Sequence, residues 1–198
     1  MGKQRGTAVQ LEAEHIYLRA LHVNDALGDY PSWLNDPEVC RYNSHGDTLY
    51  TQDMALSYIQ SVQNNPTCNV FAICDKASDK HIGNIALQAI SSKNQSAEFA
   101  ILLGDKAFWG KGLSKEAGKL LLDYGFHVLK LHRIYCGTSE ANTPMQHLAL
   151  SLGMELEGRR KEALFKNGKF YDVLEYGILQ KRDELSDIVT NKLSRILP

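Results

Sequence analysis

The sequence predicts an α+β layered fold with a mostly antiparallel central sheet of about seven strands and about four helices. Three observations lead to this prediction. Short alternating segments separated by polar turns recur in the middle of the chain, one long segment repeats its apolar residues at helical spacing, and a hairpin signal stands near the end. The 198 residues, of which 43% are apolar and 23% charged, suit one domain with its own core.

The first third of the chain predicts one strand followed by helices. Residues 1–12 are expected to form a flexible N-terminal arm ahead of a domain that spans residues 13–180. Residues 16–21 alternate and are rich in β-forming side chains, which predicts a strand. Helical segments are expected over residues 24–34, from an N-cap at Asp36, and over residues 51–62 with Thr51 as N-cap.

The middle of the chain changes from strands to a helix. Strands are expected over residues 68–74, 82–90 and 97–103, and the polar turns between them predict an antiparallel meander. Residues 112–130 then carry apolar side chains at helical spacing, which predicts a long amphipathic helix.

A strand is expected over residues 133–138 and a helix over residues 143–152. Two hairpin strands over residues 154–165 and 169–179 and a polar tail over residues 181–198 complete the prediction. Gly153 is expected to end the helix. Asn167 and Gly168 supply a typical turn for the hairpin.

Composition excludes several classes of function. The formal net charge is −1, so no overall field favours nucleic acid, and no apolar run is long enough to cross a membrane. The N-terminus lacks the apolar segment of a secretion signal, so a cytoplasmic protein is expected. Cys40, Cys68, Cys74 and Cys136 form no C-x-x-C pair and have no histidine at zinc-ligand spacing, which favours free thiols and no metal site.

The strongest chemical signal is a glycine-rich loop between a strand and the long helix, Trp109-Gly110-Lys111-Gly112-Leu113-Ser114. Helix N-termini present unpaired amides, and glycines let the backbone turn these amides toward one anion. The separation of Gly104 and Gly110 does not fit a Walker A loop, and Lys115 replaces the third glycine of a dinucleotide fingerprint. A phosphate-binding loop is therefore predicted, with a plain helix start as the alternative.

Further motifs follow one another along the chain. They are Trp33-Leu34-Asn35-Asp36-Pro37-Glu38-Val39, Ile82-Gly83-Asn84-Ile85, Ala97-Glu98-Phe99-Ala100-Ile101 and Tyr124-Gly125-Phe126, then Asn142 with Gly153, and Asp172. In this order and spacing, and together with the glycine-rich loop, residues 16–179 resemble the GNAT superfamily of N-acetyltransferases. The resemblance is strongest to its branch of ribosomal-protein N-terminal (alanine) acetyltransferases.

The resemblance implies that the chain binds acetyl-CoA. In the family, the loop matched by Trp109, Gly110, Lys111, Gly112, Leu113 and Ser114 binds the coenzyme A pyrophosphate. The strand at residues 99–103 would splay from the strand at residues 134–138 in the middle of the sheet. The pantetheine arm would then pair with the exposed backbone of Ile101, Leu102 and Leu103. The residue matched by Asn142 helps to hold this arm, and it can also cap the helix that follows.

The resemblance also implies a reaction, in which a primary amine attacks the thioester directly through a tetrahedral intermediate. Such amines are mostly protonated at neutral pH, so a proton acceptor is needed. Glu98 is the first candidate, and Asp172 and Glu175 are weaker ones. The alternative for Glu98 is a solvent-facing strand residue.

The family's usual proton donors for the leaving thiolate are absent from this sequence. The two positions hold Met145 and Ala149, neither of which can donate a proton. Ser139 or water is expected to take this role. Asn35 lies in the segment that borders the acceptor site in the family, and it is a candidate substrate contact.

The expected function is therefore an acetyl-CoA-dependent N-acetyltransferase. Its acceptor is a primary amine, and peptide N-termini, polyamines, aminoglycosides and amino sugars all remain open. The sequence leaves a homodimer open as well. The missing proton donors motivate an alternative, a non-catalytic GNAT-fold module that binds acyl-CoA as a regulator. A P-loop phosphotransferase is a third reading, which the loop spacing disfavours.

Overall fold

Eight strands form one sheet through the molecule. The structure, a computed structural model, describes residues 10–43 and 48–181. The strands are β1 (Gln10–Glu12), β2 (Ile16–Ala20), β3 (Asn69–Asp75), β4 (His81–Ser91), β5 (Ser96–Leu103), β6 (Arg133–Ser139), β7 (Glu155–Lys166) and β8 (Lys169–Leu179). Their order in the sheet is β1-β2-β3-β4-β5-β6-β8-β7. Every neighbouring pair is antiparallel except β5 and β6, which are parallel.

Four α-helices lie in the described part of the chain. They are α1 (Tyr30–Trp33), α2 (Gln52–Gln63), α3 (Leu113–Asp123) and α4 (Thr143–Ser151). Thr51 caps α2 as predicted, because its hydroxyl accepts the Met54 amide at 3.2 Å. These helices and the mostly antiparallel sheet confirm the predicted α+β class.

The chain departs from the predicted elements in its first fifty residues. Residues 10–12, predicted as part of a flexible arm, form β1 and pair with β2, which makes an eighth strand. The predicted helix over residues 24–34 divides into a 3₁₀ turn, Val23–Leu27, and the short α1. Pro31 explains this division, since proline has no amide hydrogen and is tolerated only near the start of a helix. Residues 1–9 and most of the predicted tail, residues 182–198, lie outside the described residues.

The predicted helix start at Asp36 is a sequence of turns. The Asp36 carboxylate does accept the amides of Glu38 and Val39, at 2.8 and 3.3 Å, but turns continue to Tyr42 without forming a helix. The long helix predicted over residues 112–130 also differs, because α3 ends at Asp123 and passes into a π-helical turn, Tyr124–Val128.

Apolar clusters cover both faces of the sheet. The cluster under α3 and α4 includes Phe99, Ile134 and Leu121, and we call this side the α3/α4 face. The cluster under α1 and α2 includes Trp33 and Ile59, and we call this side the α1/α2 face. Since successive side chains of a strand point to opposite faces, membership of one cluster fixes the direction of the neighbouring residues.

Candidate active site

The central feature of the sheet is a splay between its two parallel strands. The register of β5 and β6 pairs Ser96 with Arg133, Ala97 with Ile134 and Glu98 with Tyr135. Beyond these positions β5 stays paired with β4 and β6 stays paired with β8, up to their last residues. In residues 99–103 and 136–139, all of which the structure describes, the two strands therefore face each other across a gap. This splay agrees with what the family resemblance implied, and binding of a ligand in the gap stays a prediction.

The glycine-rich loop connects the open end of this splay to α3. Gly110 and Gly112 have φ of 73° and 79°, in the left-handed region that favours glycine. A Cβ atom placed on either would meet no atom of the described chain within 4 Å, so the space beside them is open. The Trp109 indole Nε1 donates to the Leu103 carbonyl at 2.8 Å and fixes the loop to the end of β5.

The N-terminus of α3 is suited to an anion. Gly112 occupies the N-cap position and has no side chain with which to cap the helix. Helix geometry leaves the amides of Leu113 and Ser114 without an intrahelical acceptor. The helix dipole and the nearby Lys111 add positive potential. This arrangement fits a pyrophosphate bound by backbone amides.

Close packing holds the residues between β5 and the glycine-rich loop against the segment that contains α1. Trp33 is buried and lies directly over Gly104, where an ideal Cβ atom would be 2.0 Å from the indole. Lys106 bridges Asp36 at 2.7 Å and Glu38 at 3.0 Å. The Lys106 ammonium and the Glu38 amide lower the pKa of Asp36. These contacts give Trp33 and Asp36 structural roles.

The side chains of the two candidate asparagines are engaged in local structure. Asn142 accepts the Met145 amide at 3.3 Å as the N-cap of α4, and its Nδ2 donates to the Thr138 hydroxyl at 3.0 Å. Asn35 donates to the carbonyls of Pro31 and Tyr50 and accepts the Tyr50 amide at 2.7 Å. Asn35 therefore joins α1 to the segment before α2, and its predicted contact with substrate stays a prediction.

Glu98 lies on the α1/α2 face at the point where the splay begins. Its neighbours Ala97 and Phe99 belong to the cluster on the α3/α4 face, so Glu98 points the other way. The Gln88 amide donates to the Glu98 carboxylate at 3.1 Å, and the side chain is half-buried. A proton acceptor at this position would stand beside the gap, on the side opposite α3.

A second carboxylate, Glu175 of β8, approaches the same stretch of β6. It lies over Gly137, whose ideal Cβ atom would be 3.3 Å from Oε1, and Arg160 Nε donates to it at 2.5 Å. Burial together with the charges of Glu175 and Glu98 raises the pKa of Cys136 to about 12. Both carboxylates therefore lie close enough to β6 for their charges to act on Cys136.

The third carboxylate named from the sequence, Asp172, is held in an ionic network. It accepts the Glu162 amide at 2.7 Å and the Arg159 guanidinium, which also binds Glu140. The Glu162 amide and Arg159 lower the pKa of Asp172. A carboxylate held in this way is a weaker proton acceptor than an unpaired one, which disfavours Asp172 as the base.

Ser139, the predicted proton donor for the thiolate, differs in its surroundings from Met145 and Ala149, which occupy the positions of the family's usual donors. Ser139 is buried at the end of β6, and its Oγ accepts the Ala141 amide at 3.3 Å, which leaves its hydroxyl hydrogen to donate elsewhere. Ala149 is fully buried in the α3/α4 cluster, and Met145 packs against that cluster.

Three residues near the splay had no functional role predicted from the sequence: Arg160, Arg41 and Tyr171. Arg160 reaches Glu175, and Arg41 and Tyr171 line a cavity beside Ser139. Their neighbours in the chain give no motif, because the turn after α1 and the β7–β8 hairpin come together only in the folded protein. In the described ranges, no three acidic, histidine or cysteine side chains converge to hold a metal ion, and no helix is long and apolar enough to span a membrane.

Comparison with known proteins gives one consistent result. Residues 15–155 match the family model described as an acetyltransferase (GNAT) domain. An N-acetyltransferase of Bacillus licheniformis, itself uncharacterized, is 32% identical over 174 residues, covering 86% of this chain and 96% of the relative.

Solved structures show the same architecture. The spermidine N-acetyltransferase from Vibrio cholerae, in complex with CoA and spermine, superposes with a TM-score of 0.77 at 28% identity, over 84% of this chain and 96% of that one. The ribosomal-protein α-N-acetyltransferase RimL, in complex with coenzyme A, has a TM-score of 0.79 at 18% identity, over 86% of this chain and 98% of that one. At that identity the likeness concerns the fold alone.

Proposed function

This chain belongs to the GNAT family of acetyltransferases, and on that premise we propose that it transfers the acetyl group of acetyl-CoA to a primary amine by direct attack. One observation carries the proposal. The parallel strands β5 and β6 splay immediately before a left-handed glycine loop, and that loop ends at the uncapped N-terminus of α3. An extended ligand with a pyrophosphate at one end and an amide-containing arm at the other suits both features.

The residues of this chain fit such a ligand. The open space beside Gly110 and Gly112 leaves the loop amides accessible to the pyrophosphate, and Lys111 supplies a charge. Ile101, Leu102 and Leu103 pair with β4 on one side, and the edge of β5 that faces the gap supports pairing with the arm. When bound, acetyl-CoA supplies a thioester carbonyl that an amine can attack.

Glu98 is proposed as the group that removes the amine proton. A lysine-like amine has a pKa of about 10.4 and an α-amine about 8, so both are mostly protonated at neutral pH. Glu98 faces the α1/α2 side of the splay. It would accept the proton of an amine that enters there, either directly or through one water molecule. Its carboxylate is positioned by the Gln88 amide.

The leaving thiolate needs less assistance from the protein than the amine does. A thiol has a pKa of about 8.5, so the thiolate is a tolerable leaving group near neutral pH. Ser139 has a hydroxyl hydrogen to offer, and its site at the end of β6 is beside the gap. The buried Ala149 leaves no room for a larger donor.

The comparisons support the acceptor class only in outline. The relatives named above include an enzyme described as a spermidine N-acetyltransferase. This name supports a primary amine as the acceptor here, with a peptide N-terminus and a small molecule both open.

The proposal is tested by binding and by turnover. Calorimetric titration with CoA and with ATP measures the ligand preference, and thiol release from acetyl-CoA is then followed with peptide N-termini, polyamines, aminoglycosides and amino sugars. We expect CoA binding without ATP binding and steady turnover with at least one amine class. CoA binding without turnover for any of the amines would favour a regulatory acyl-CoA-binding module. The absence of CoA binding would contradict the proposal.

A further inference from the structure

A small cavity of about 160 Å³ lies at the carboxyl end of β6. Three separate parts of the chain form it: the turn that follows α1, the last residue of β6 and the β7–β8 hairpin. Its polar lining residues are Arg41, Tyr42, Ser139, Lys166, Asn167 and Tyr171. Because β5 and β6 diverge toward this end, the cavity borders the open side of the splay.

The cavity lies on the side where Glu98 points. Ile134 and Cys136 belong to the cluster on the α3/α4 face, and alternation along β6 therefore directs Ser139 to the α1/α2 face. An amine that approaches Glu98 on this face passes the cavity. The rest of the acceptor molecule then has a defined place to bind.

The lining residues are basic and polar. Arg41 carries positive charge and is exposed, and within the described ranges none of the residues that line the cavity is acidic. Two carboxylates of β8 have cationic partners, since Arg159 binds Asp172 and Arg160 binds Glu175. A second ammonium group, as in a polyamine, would find no carboxylate in the cavity wall.

The lining also offers several donors for an oxyanion. Arg41 is exposed and its guanidinium carbon lies 5.8 Å from the centre of the Tyr42 ring, so the side chain can turn toward a ligand. The hydroxyls of Tyr42 and Tyr171 and the amide of Asn167 can donate as well. Guanidinium groups bind carboxylate and phosphate oxygens in pairs of hydrogen bonds.

We propose that this cavity binds an anionic group, a carboxylate or a phosphate, that the acceptor carries in addition to its amine. The inference rests on the proposed function and narrows its acceptor class. Arg41 is the residue that determines this specificity. Free polyamines, which carry only positive charge, are then poor acceptors for this chain.

The experiment compares matched acceptors on the whole protein saturated with acetyl-CoA. The peptides Ala-Asp-Ala-amide and Ala-Asn-Ala-amide differ in one carboxylate, and phosphoethanolamine and ethanolamine differ in one phosphate. Spermidine represents the polycations. A hydrogen bond to a charged group contributes roughly 1.5–3 kcal/mol, so we expect a preference of about 10- to 100-fold for the anionic member of at least one pair.

The variant Arg41→Gln separates this role from a structural one. We expect it to raise KM for the preferred anionic acceptor by about 10-fold or more while kcat and the affinity for CoA stay unchanged. Arg41 is exposed, so the variant is expected to fold. Arg133→Gln is the matched control, because Arg133 forms an ion pair with Glu157 away from the cavity and should leave the preference intact.

Binding provides a second readout that does not depend on turnover. Calorimetric titration of the CoA-saturated protein with each acceptor should show tighter binding of the anionic member, and Arg41→Gln should remove the difference. Equal KM and affinity within both pairs, or a preference for spermidine over the anionic acceptors, would overturn the inference and leave the proposed function standing. Failure to bind CoA at all would instead contradict the proposed function.

Discussion

The two sides of the splay are built from different parts of the chain. On the α3/α4 side, the features that suit acetyl-CoA are backbone amides and carbonyls of one continuous stretch, residues 99–114. On the α1/α2 side, the features that suit an acceptor are side chains from β5, β6, β8, the turn after α1 and the hairpin. A backbone site tolerates changes in side chains but depends on φ and ψ. A side-chain site can be rebuilt residue by residue for a new acceptor, so the two halves should respond differently to mutation.

The largest expected effect tests the acceptor side. Glu98→Gln removes the proposed base and keeps the shape of the side chain, so kcat should fall by about 10²–10⁴-fold with CoA affinity unchanged. The measurement is kcat/KM against pH, with the loss greatest at low pH, where free amine is scarcest. Glu175→Gln is the matched control, because Glu175 is engaged by Arg160 and should have a much smaller effect. An unaltered Glu98→Gln profile would return Glu98 to a surface role.

The next effect tests the backbone side. Gly112→Val forces a β-branched residue into a left-handed conformation at φ of 79°, so the loop should change shape and CoA affinity should fall by about 100-fold, roughly 2.8 kcal/mol. Gly168→Val imposes similar strain at φ of 75° in the hairpin turn and serves as the control for stability. Calorimetry showing equal losses of CoA affinity in both variants would mean that strain alone, and not the loop, is responsible.

A third prediction concerns the missing proton donor. Ala149→Tyr inserts a phenol at a fully buried position, so it should destabilise the fold by about 1–3 kcal/mol and give no gain in turnover. Leu150→Tyr, at the neighbouring exposed position, should change the melting temperature very little. A stable and faster Ala149→Tyr enzyme would show that departure of the thiolate limits the reaction.

The smallest effect separates two roles of one asparagine. Asn142→Ala removes an N-cap, as Thr51→Ala does in α2, and each should cost about 1 kcal/mol in the free energy of unfolding. If Asn142 also holds the pantetheine arm, only its variant should weaken CoA binding severalfold. Equal CoA affinity in the two variants would leave Asn142 as a cap alone.

The sequence predicted the backbone side better than the acceptor side, and the reason is physical. A loop such as residues 109–114 depends on local φ, ψ and helix start signals, which glycines and spacing reveal directly. The splay was inferred from the family resemblance, and the register of β5 and β6 agrees with it. The cavity beside Ser139 joins Arg41 to Tyr171 across 130 positions of the chain, and no local pattern can indicate such a contact.

Tertiary contacts explain two elements that were not predicted correctly from the sequence. The residues of β1 look like part of a polar arm, and only pairing with β2 makes them a strand. Asp36 has the expected capping contacts, but it also forms an ion pair with Lys106 beyond the end of β5, and the turns that follow do not become a helix. In both cases a tertiary contact decided the local structure.

Hydrogen exchange with and without acetyl-CoA tests the central claim most directly, because it reports on individual stretches of backbone. The amides of residues 99–103 and 110–114 should become strongly protected on addition of acetyl-CoA, while those of the β7–β8 hairpin should change little. Protection confined to the hairpin, or none in residues 110–114, would contradict a cofactor site made from the splayed strand and the glycine-rich loop.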